Sequence, residues 1–283
     1  MKYLYNAFGI NLSSDSAIPF LRDGHSPISD FEITVIRHYI CEYNECGYQY
    51  DVLIDNSPYY IASYDDKNEA MHIYVDDDKI FNEVLSGRVF APLLFDKGYF
   101  ILHASVVVYG GQAYVFSGDS HAGKSTIAFA AHKYLNATII GDDMAVIKLI
   151  DGKPYVFSGS KKTKLRTEAR MGLATDSDTY CGVGVTEDIA NYITDNRDNL
   201  YPLRSVVFLN RTERIDRFEY KKYTDLKSRI YLCMNLYNNA VFEKDYSRSA
   251  FDFAKNNCRL FHCYELSYPD DINSIRHLCL PEQ

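Results

Sequence analysis

Short stretches of alternating polar and apolar residues occupy the first third of the chain. The segments FEITVIRH, YQYDVLID, YYIASYDD and MHIYVDD are separated by Asn, Asp, Gly and Pro. A period of two residues places alternate side chains on opposite faces of a strand, and the separating residues favour turns. The pattern predicts a small, mainly-β N-terminal region over residues 1–97, in which we find no catalytic signature.

A second region, residues 98–283, begins with longer apolar runs. The sequence YFILHASVVVYGGQAYVFSGD holds two β-rich runs joined by Gly110-Gly111, which predicts a tight turn between neighbouring strands. The stretch KSTIAFAAHKYL then predicts a helix with apolar residues on one side. ATIIGDDMAVIKLI predicts two strands separated by a pair of aspartates, DGKP predicts a turn, and LRSVVFLN predicts a further buried strand.

The last 60 residues or so continue this alternation of helix and strand. Apolar residues recur at steps of three and four, which is typical of an amphipathic helix; they are Leu226, Ile230, Met234, Tyr237 and Val241. RLFHCYELSY predicts a strand, and the residues after Pro269 predict a short helix. Strands interspersed with helices indicate an α/β domain.

Composition and charge exclude several classes of partner. The 283 residues carry a formal net charge of −8, without the basic stripe that a nucleic-acid surface needs. The chain lacks a run of about 18 apolar residues, and its first residues lack the apolar core of a signal peptide. We therefore expect a cytoplasmic protein that binds neither nucleic acid nor membrane.

The seven cysteines are scattered, and one cluster among them resembles a metal site. CRLFHC brings Cys258, His262 and Cys263 close together. A structural zinc site usually needs a second ligand pair, and the sequence does not supply one. Reduced thiols are the better interpretation of these cysteines.

The segment GDSHAGKS, residues 118–125, matches the Walker A pattern G-x-x-x-x-G-K-[ST] of P-loop proteins. Backbone N–H groups of such a loop converge on nucleotide phosphates, its lysine reaches the β- and γ-phosphates, and the following hydroxyl ligates Mg²⁺. His121 either faces solvent or touches substrate or phosphate. The predicted nucleotide-binding residues are Gly118, Asp119, Ser120, His121, Ala122, Gly123, Lys124, Ser125 and Thr126.

Asp142 and Asp143 close a predicted strand seventeen residues after Ser125. One aspartate beside a phosphate loop can ligate Mg²⁺ while another accepts a proton from an attacking hydroxyl. On an extended segment the two side chains point in opposite directions, so we expect one of them to be central. A solvated Asp-Asp turn is the alternative interpretation.

The combination of these motifs resembles the HPr kinase/phosphorylase-like family, whose P-loop nucleotide fold is related to phosphoenolpyruvate carboxykinase. The resemblance rests on LHASVVV, GGQAYVFSGDSHAGKSTIA and IIGDD, and more thinly on YNAFGINLSSDSAIPFL and YELSYPDDINSI. It implies an α/β domain with a mixed sheet and an active site built from His103, the phosphate loop and the aspartate pair. From its position alone, His103 is a core residue or a functional one.

The chain departs from the true HPr kinases in two places. The stretch KKTKLRTEARMGLAT does not reproduce their protein-docking segment, and His121 and Thr126 replace their usual glycine and glutamate. The resemblance therefore favours free serine, a serine-containing peptide or another protein serine over HPr as the acceptor. Basic residues that either steady the transferred phosphoryl group or lie on the surface are Lys164, Arg166 and Arg204.

The favoured hypothesis is a Mg-ATP-dependent kinase that phosphorylates a serine-type hydroxyl. Ser125 and Asp142 are its predicted metal ligands, Asp143 its predicted base, and His103 orients or buffers that base. The alternatives are a non-catalytic, nucleotide-responsive module that binds a peptide or protein, and a carboxykinase-like enzyme. Homo-oligomerisation stays open.

Overall fold

A computed structural model describes residues 2–18, 21–36, 49–54, 57–65, 70–74, 90–160, 162–166, 173, 180–183, 189–193, 200–237 and 244–281. The described chain is mixed α/β, as the sequence predicts. Each helix in the described ranges falls short of the length and apolar character needed to cross a bilayer.

Seven strands form one sheet in the described part of the N-terminal region. They are β1 (Tyr3–Ala7), β2 (Ile10–Ser14), β3 (Arg22–Asp23), β4 (Phe31–Ile36), β5 (Gln49–Ile54), β6 (Ser57–Asp65) and β7 (Ala70–Tyr74). Their order is β3-β1-β2-β4-β7-β6-β5, with parallel pairing of β2 to β4 and of β4 to β7. The described residues of this region thus form strands, the element that the alternating sequence pattern predicts.

The remaining described strands follow helix α1 (Phe90–Asp96). They are β8 (Phe100–Leu102), β9 (Ala104–Tyr109), β10 (Gln112–Ser117), β11 (Thr138–Gly141), β12 (Ala145–Ile150), β13 (Lys153–Phe157), β14 (Lys162–Arg166), β15 (Tyr180–Val183), β16 (Ile189–Ile193), β17 (Leu200–Thr212), β18 (Glu219–Lys222) and β19 (His262–Pro269). The helices among them are α2 (Lys124–Leu135), α3 (Asp225–Met234), α4 (Lys244–Asn257) and a 3-10 turn, Ile272–His277.

Nine of these strands build the central sheet within the described residues. Seven run in the order β11-β9-β10-β17-β13-β12-β8, and β19 joins β17 and β18 beside this path. Strand β17 is parallel to both β10 and β19, whereas β9 is antiparallel to β10, so the sheet is mixed. Strands β14, β16 and β15 form a separate small sheet.

The central sheet is buried on both faces, which explains its continuous apolar runs. In β9 five consecutive residues from Ala104 to Val108 are buried, a pattern expected where each face is covered. Helix α2 covers one face with Ile127 and Phe129, while Leu232 of α3 and Ala254 of α4 belong to the cluster on the other.

A third core cluster joins the two regions predicted from sequence. Phe8 and Ile10 of the N-terminal region pack in one cluster with Ile101, Val146 and Phe157 of the central sheet. Apolar contacts thus cross the position between residues 97 and 98. The boundary itself stays a prediction.

The predicted apolar stripe on α3 does not face the core. Leu226, Ile230 and Met234 are 67%, 48% and 69% exposed, whereas Ser228 and Leu232 of the same helix are buried. The prediction of a helix was right, but its buried face was wrong. Ser228 can be buried because its hydroxyl donates to the Thr224 carbonyl at 2.9 Å. Tyr237 is buried after the helix ends, and Val241 lies outside the described residues.

Candidate active site

The loop of residues 118–123 connects the carboxyl end of β10 to the first residue of α2. Gly123 lies immediately before the helix with φ 87°. A Cβ atom there would sit 2.3 Å from the phenolic oxygen of Tyr268, so both the backbone conformation and the space require glycine. His121 also has a positive φ, 68°, which a non-glycine residue adopts at a cost, and its side chain is exposed.

The helix that follows has an uncapped N-terminus. Gly123 has no side chain to bond the first N–H groups, and the first turn carries no acidic residue. The leading amides of an α-helix have no partner within the helix, and the helix dipole makes this end positive. This end of α2 therefore offers N–H donors to an anion such as a phosphate group.

Lys124, the first residue of α2, lies folded against its own loop. Its Nζ atom donates to the carbonyls of Gly118 and Asp119, both at 2.9 Å, and the residue is 8% exposed. Burial lowers the pKa of Lys124, and the charges of Asp143, Asp142 and Asp119 oppose that shift. A buried ammonium group therefore stands where three carboxylates act on it.

Asp142 is a buried carboxylate held by two serine hydroxyls. Ser105 of β9 donates to its Oδ1 atom at 2.5 Å, and Ser125 of α2 donates to the same atom at 2.9 Å. Asp142 itself is 8% exposed. These bonds link β9, α2 and the segment after β11.

Asp143 adopts a left-handed conformation, with φ 70°. Its carbonyl is close to two nitrogen donors: Nδ1 of His103 at 3.0 Å and the backbone N–H of Ala104 at 3.3 Å. The expectation of an extended aspartate pair is therefore wrong, because the chain bends after Gly141. In the bend, both carboxylates act on the charge of Lys124.

His103 connects three neighbouring segments through its backbone and its ring. Its N–H donates to the Asn235 carbonyl at 2.9 Å, and its own carbonyl accepts from the Ser117 hydroxyl at 2.9 Å. Because a carbonyl only accepts, the contact with Asp143 requires a proton on Nδ1. The imidazole thus holds the main chain of Asp143 in its bend.

The oxygen atoms of Ser125 and Asp142 fit a magnesium ion bound together with a substrate. Mg²⁺ usually takes one or two protein carboxylates and completes its shell with water and phosphate oxygens. The described residues hold no cluster of three or more His, Cys, Asp or Glu side chains suited to a metal. Ser125 and Asp142 are the residues that would hold such an ion beside the loop of residues 118–123.

Comparisons with known proteins add little to this geometry. No family model matches the chain, and no curated protein matches its sequence. Among solved structures, the chain is similar to the Hpr(Ser) kinase/phosphatase from Coxiella burnetii, with 11% identity and a TM-score of 0.31. The match covers 62% of this chain and 89% of that one. This likeness is too distant to assign a family.

Of the three basic candidates, Arg204 lies away from the loop. It precedes Ser205, which pairs with Tyr114, whereas the loop leaves the sheet after Ser117, which pairs with Phe208. Four residues of strand correspond to about 13 Å. The side chains of Lys164 and Arg166 lie outside the described residues.

Two residues of the site were not predicted from the sequence. Ser105 bonds to Asp142. Its position two residues after His103 is the sequence feature that could have indicated this contact. Tyr268 donates its phenolic proton to the carbonyl of Ala122 at 2.5 Å across 146 residues of chain. No local pattern indicates the second contact.

The cluster of Cys258, His262 and Cys263 lies on and before β19. Both thiols are buried and free. Burial raises the pKa of Cys263 to about 12, so it is a protonated thiol at neutral pH.

Proposed function

We propose that the chain is a Mg-ATP-dependent kinase that transfers the γ-phosphoryl group to a serine-type hydroxyl. The observation that carries the proposal is that Lys124 bonds to a glycine-containing loop, next to Ser125, whose hydroxyl bonds to Asp142. Asp143 follows Asp142 in a bend of the chain. Free serine, a serine-containing peptide and a protein serine are the proposed acceptors, on the basis of the sequence resemblance.

Binding of the phosphates is assigned to the start of α2. The leading N–H groups of this helix, which have no side-chain cap, would donate to phosphate oxygens, and the ammonium group of Lys124 would supply a positive charge. Lys124 would exchange its two loop carbonyls for phosphate oxygens, which are stronger acceptors because they are charged.

The two aspartates take different roles in the proposal. Asp142 already receives the Ser125 hydroxyl, the group expected to ligate Mg²⁺, so it is assigned to the metal side. Asp143 is assigned as the base. It takes the proton of the acceptor hydroxyl as the acceptor oxygen bonds to the γ-phosphorus, while the bond from that phosphorus to the ADP oxygen breaks.

His103 is assigned as a positioning residue. Its contact with the Asp143 carbonyl supports the left-handed backbone of the proposed base. A residue in that conformation costs about 1–3 kcal/mol and persists where its surroundings determine it.

The test is phosphoryl transfer from labelled Mg-ATP to free serine, serine-containing peptides and HPr. Asp143→Asn should bind ATP as the unchanged protein does and lose about a hundredfold or more in transfer rate. Asp151→Asn is a matched control, because Asp151 also has a positive φ, 50°, in the turn between β12 and β13.

Three outcomes would contradict the proposal in different ways. Failure to bind ATP would remove the loop as a nucleotide site. ATP binding without transfer to any acceptor would favour the non-catalytic binding module. Equal transfer by the Asp143→Asn and Asp151→Asn proteins would remove Asp143 as the base.

A further inference from the structure

A hydrogen bond from Tyr268 connects the phosphate loop to the C-terminal part of the chain. Tyr268 lies on β19 and is 1% exposed. Its hydroxyl donates to the carbonyl of Ala122 at 2.5 Å. This bond joins the last described strand to the turn just before α2, a position that no sequence pattern connects to it.

The ring of Tyr268 is itself held in place. It stacks on Phe218 with ring centroids 5.8 Å apart and an angle of 13° between planes. In the parallel pairing of β17 and β19, Tyr268 lies opposite Arg211, whose guanidinium pairs with Asp270 at 3.1 Å. Burial raises the pKa of Tyr268 to about 12, so the phenol keeps its proton and acts as the donor at neutral pH.

The bond to Ala122 determines the orientation of the next peptide group. The carbonyl of Ala122 and the N–H of Gly123 belong to one planar trans peptide, in which they point in opposite directions. Holding the carbonyl therefore aims the Gly123 N–H away from Tyr268. Gly123 is the last residue before α2, so this N–H is next to the uncapped helix start.

The space at Gly123 is complementary to the phenol. A Cβ atom on residue 123 would lie 2.3 Å from the hydroxyl oxygen of Tyr268. The phenol can therefore lie this close to the backbone only when residue 123 is glycine. The loop and the tyrosine therefore fit each other at two adjacent residues, by a hydrogen bond to Ala122 and by close approach to Gly123.

We propose that Tyr268 is a positioning residue for the phosphate loop, which it fixes in the conformation that presents its N–H donors to an anion. This inference rests on the proposed function, because the anion is taken to be the phosphate chain of a nucleotide. Tyr268 acts through the loop backbone and touches no phosphate itself.

The test compares Tyr268→Phe with Tyr220→Phe in the full chain. Both substitutions keep the ring and remove one phenol-to-carbonyl hydrogen bond, since Tyr220 donates to the Cys279 carbonyl at 2.7 Å. Thermal unfolding, amide exchange of residues 118–126 without ligand, and affinity for pyrophosphate and ATP are measured for each protein. Pyrophosphate reports on the phosphate donors without the nucleoside.

We expect both variants to lose thermal stability and to differ at the loop. Tyr268→Phe should speed amide exchange over residues 118–126 and weaken pyrophosphate and ATP binding by about threefold to tenfold, the range for one hydrogen bond. Tyr220→Phe should leave both properties as in the unchanged protein. For transfer, the Tyr268→Phe protein should show a raised KM for ATP and a nearly unchanged kcat.

Phosphate binding by the unchanged protein separates the two roles. If the unchanged protein binds neither pyrophosphate nor ATP, both the proposed function and a phosphate-presenting role for Tyr268 are overturned. If it binds them and Tyr268→Phe matches Tyr220→Phe in loop exchange and affinity, the inference about Tyr268 is overturned and the proposed function stands.

Discussion

Replacing Gly123 by alanine tests the geometry of the loop of residues 118–123 quantitatively. The new Cβ atom would lie 2.3 Å from the Tyr268 hydroxyl oxygen, in a backbone with φ 87°. A left-handed backbone costs an alanine about 1–2 kcal/mol. Overpacking against the buried Tyr268 costs about 1–3 kcal/mol more. We therefore expect Gly123→Ala to lower the free energy of unfolding by about 2–5 kcal/mol in total.

The matched control is Gly152→Ala. Gly152 has a similar φ, 73°, in the turn between β12 and β13, but an added Cβ atom there would meet nothing within 4 Å. Its substitution should cost the backbone term alone, about 1–2 kcal/mol. Unfolding in urea, followed for each variant, gives the difference that is due to contact with Tyr268.

A double variant isolates the contact further. Tyr268→Phe removes the oxygen that the Cβ atom would strike, and the next ring atom, Cζ, lies at an ordinary 3.6 Å. The cost of Gly123→Ala should therefore fall by about 1 kcal/mol or more in the Tyr268→Phe background. Equal costs for Gly123→Ala and Gly152→Ala, or a cost unchanged by Tyr268→Phe, would refute this reasoning.

The charged groups Lys124, Asp142 and Glu265 each have a measurable effect on stability or binding. Burial lowers the pKa of Lys124, so the contribution of this group to stability increases as pH rises from the lowered pKa to 10.5. Nucleotide binding between these two pH values should take up protons, and calorimetry in buffers of different ionisation enthalpy that detects no proton uptake would contradict this. Ser105→Ala removes one of two hydroxyl donors to Asp142 and should raise the Mg²⁺ concentration needed for ATP binding about tenfold, measured by Mg²⁺ titration; an unchanged titration contradicts it. Burial raises the pKa of Glu265, but hydrogen bonds from Lys227 and Tyr223 lower it more, so the net shift is downward. The stabilising effect of Glu265 is therefore present above about pH 4.5 and is lost as pH falls through the lowered pKa. Glu265→Gln should therefore cost about 0.5–1 kcal/mol at neutral pH and flatten the acid limb of the stability curve, and an unchanged acid limb contradicts it.

Local sequence patterns predicted the elements on either side of the loop. Residues 124–135 were predicted as a helix and form α2, because good helix formers follow a glycine that can adopt the conformation before the first turn. The Gly110-Gly111 turn is confirmed by positive φ values of 58° and 75°. These features depend on neighbouring residues alone.

Features set by tertiary packing were not predicted. The periodicity of Leu226, Ile230 and Met234 indicates a helix but does not say which face the sheet covers, and these side chains are exposed. Helix α4 was missed, although Phe253 within it stacks on Phe100 with ring centroids 4.4 Å apart. Its environment is created by a strand about 150 residues away in sequence.

Within the site, the residue types were predicted and their arrangement was not. The bend at Asp142 and Asp143 includes bonds to the Asp143 carbonyl from His103 and Ala104, forty and thirty-nine residues earlier in the chain. Tyr268 is separated from its partner Ala122 by 146 residues. Pairings over such distances are determined by strand order and register, which one sequence does not specify.

The most direct test of the account is whether the loop recognises the phosphate chain of a nucleotide. Calorimetric titration with ATP, ADP, AMP and adenosine in the presence of Mg²⁺ should show affinity that rises with the number of phosphates. Lys124→Met should weaken ATP binding at least about tenfold, as expected for loss of a charge-assisted hydrogen bond in a partly buried site. Lys133 lies in the same helix, and its ammonium group donates to the Leu173 carbonyl. Lys133→Met should leave ATP binding unchanged. Equal affinity for ATP and adenosine, or unchanged ATP binding by the Lys124→Met protein, would contradict the account.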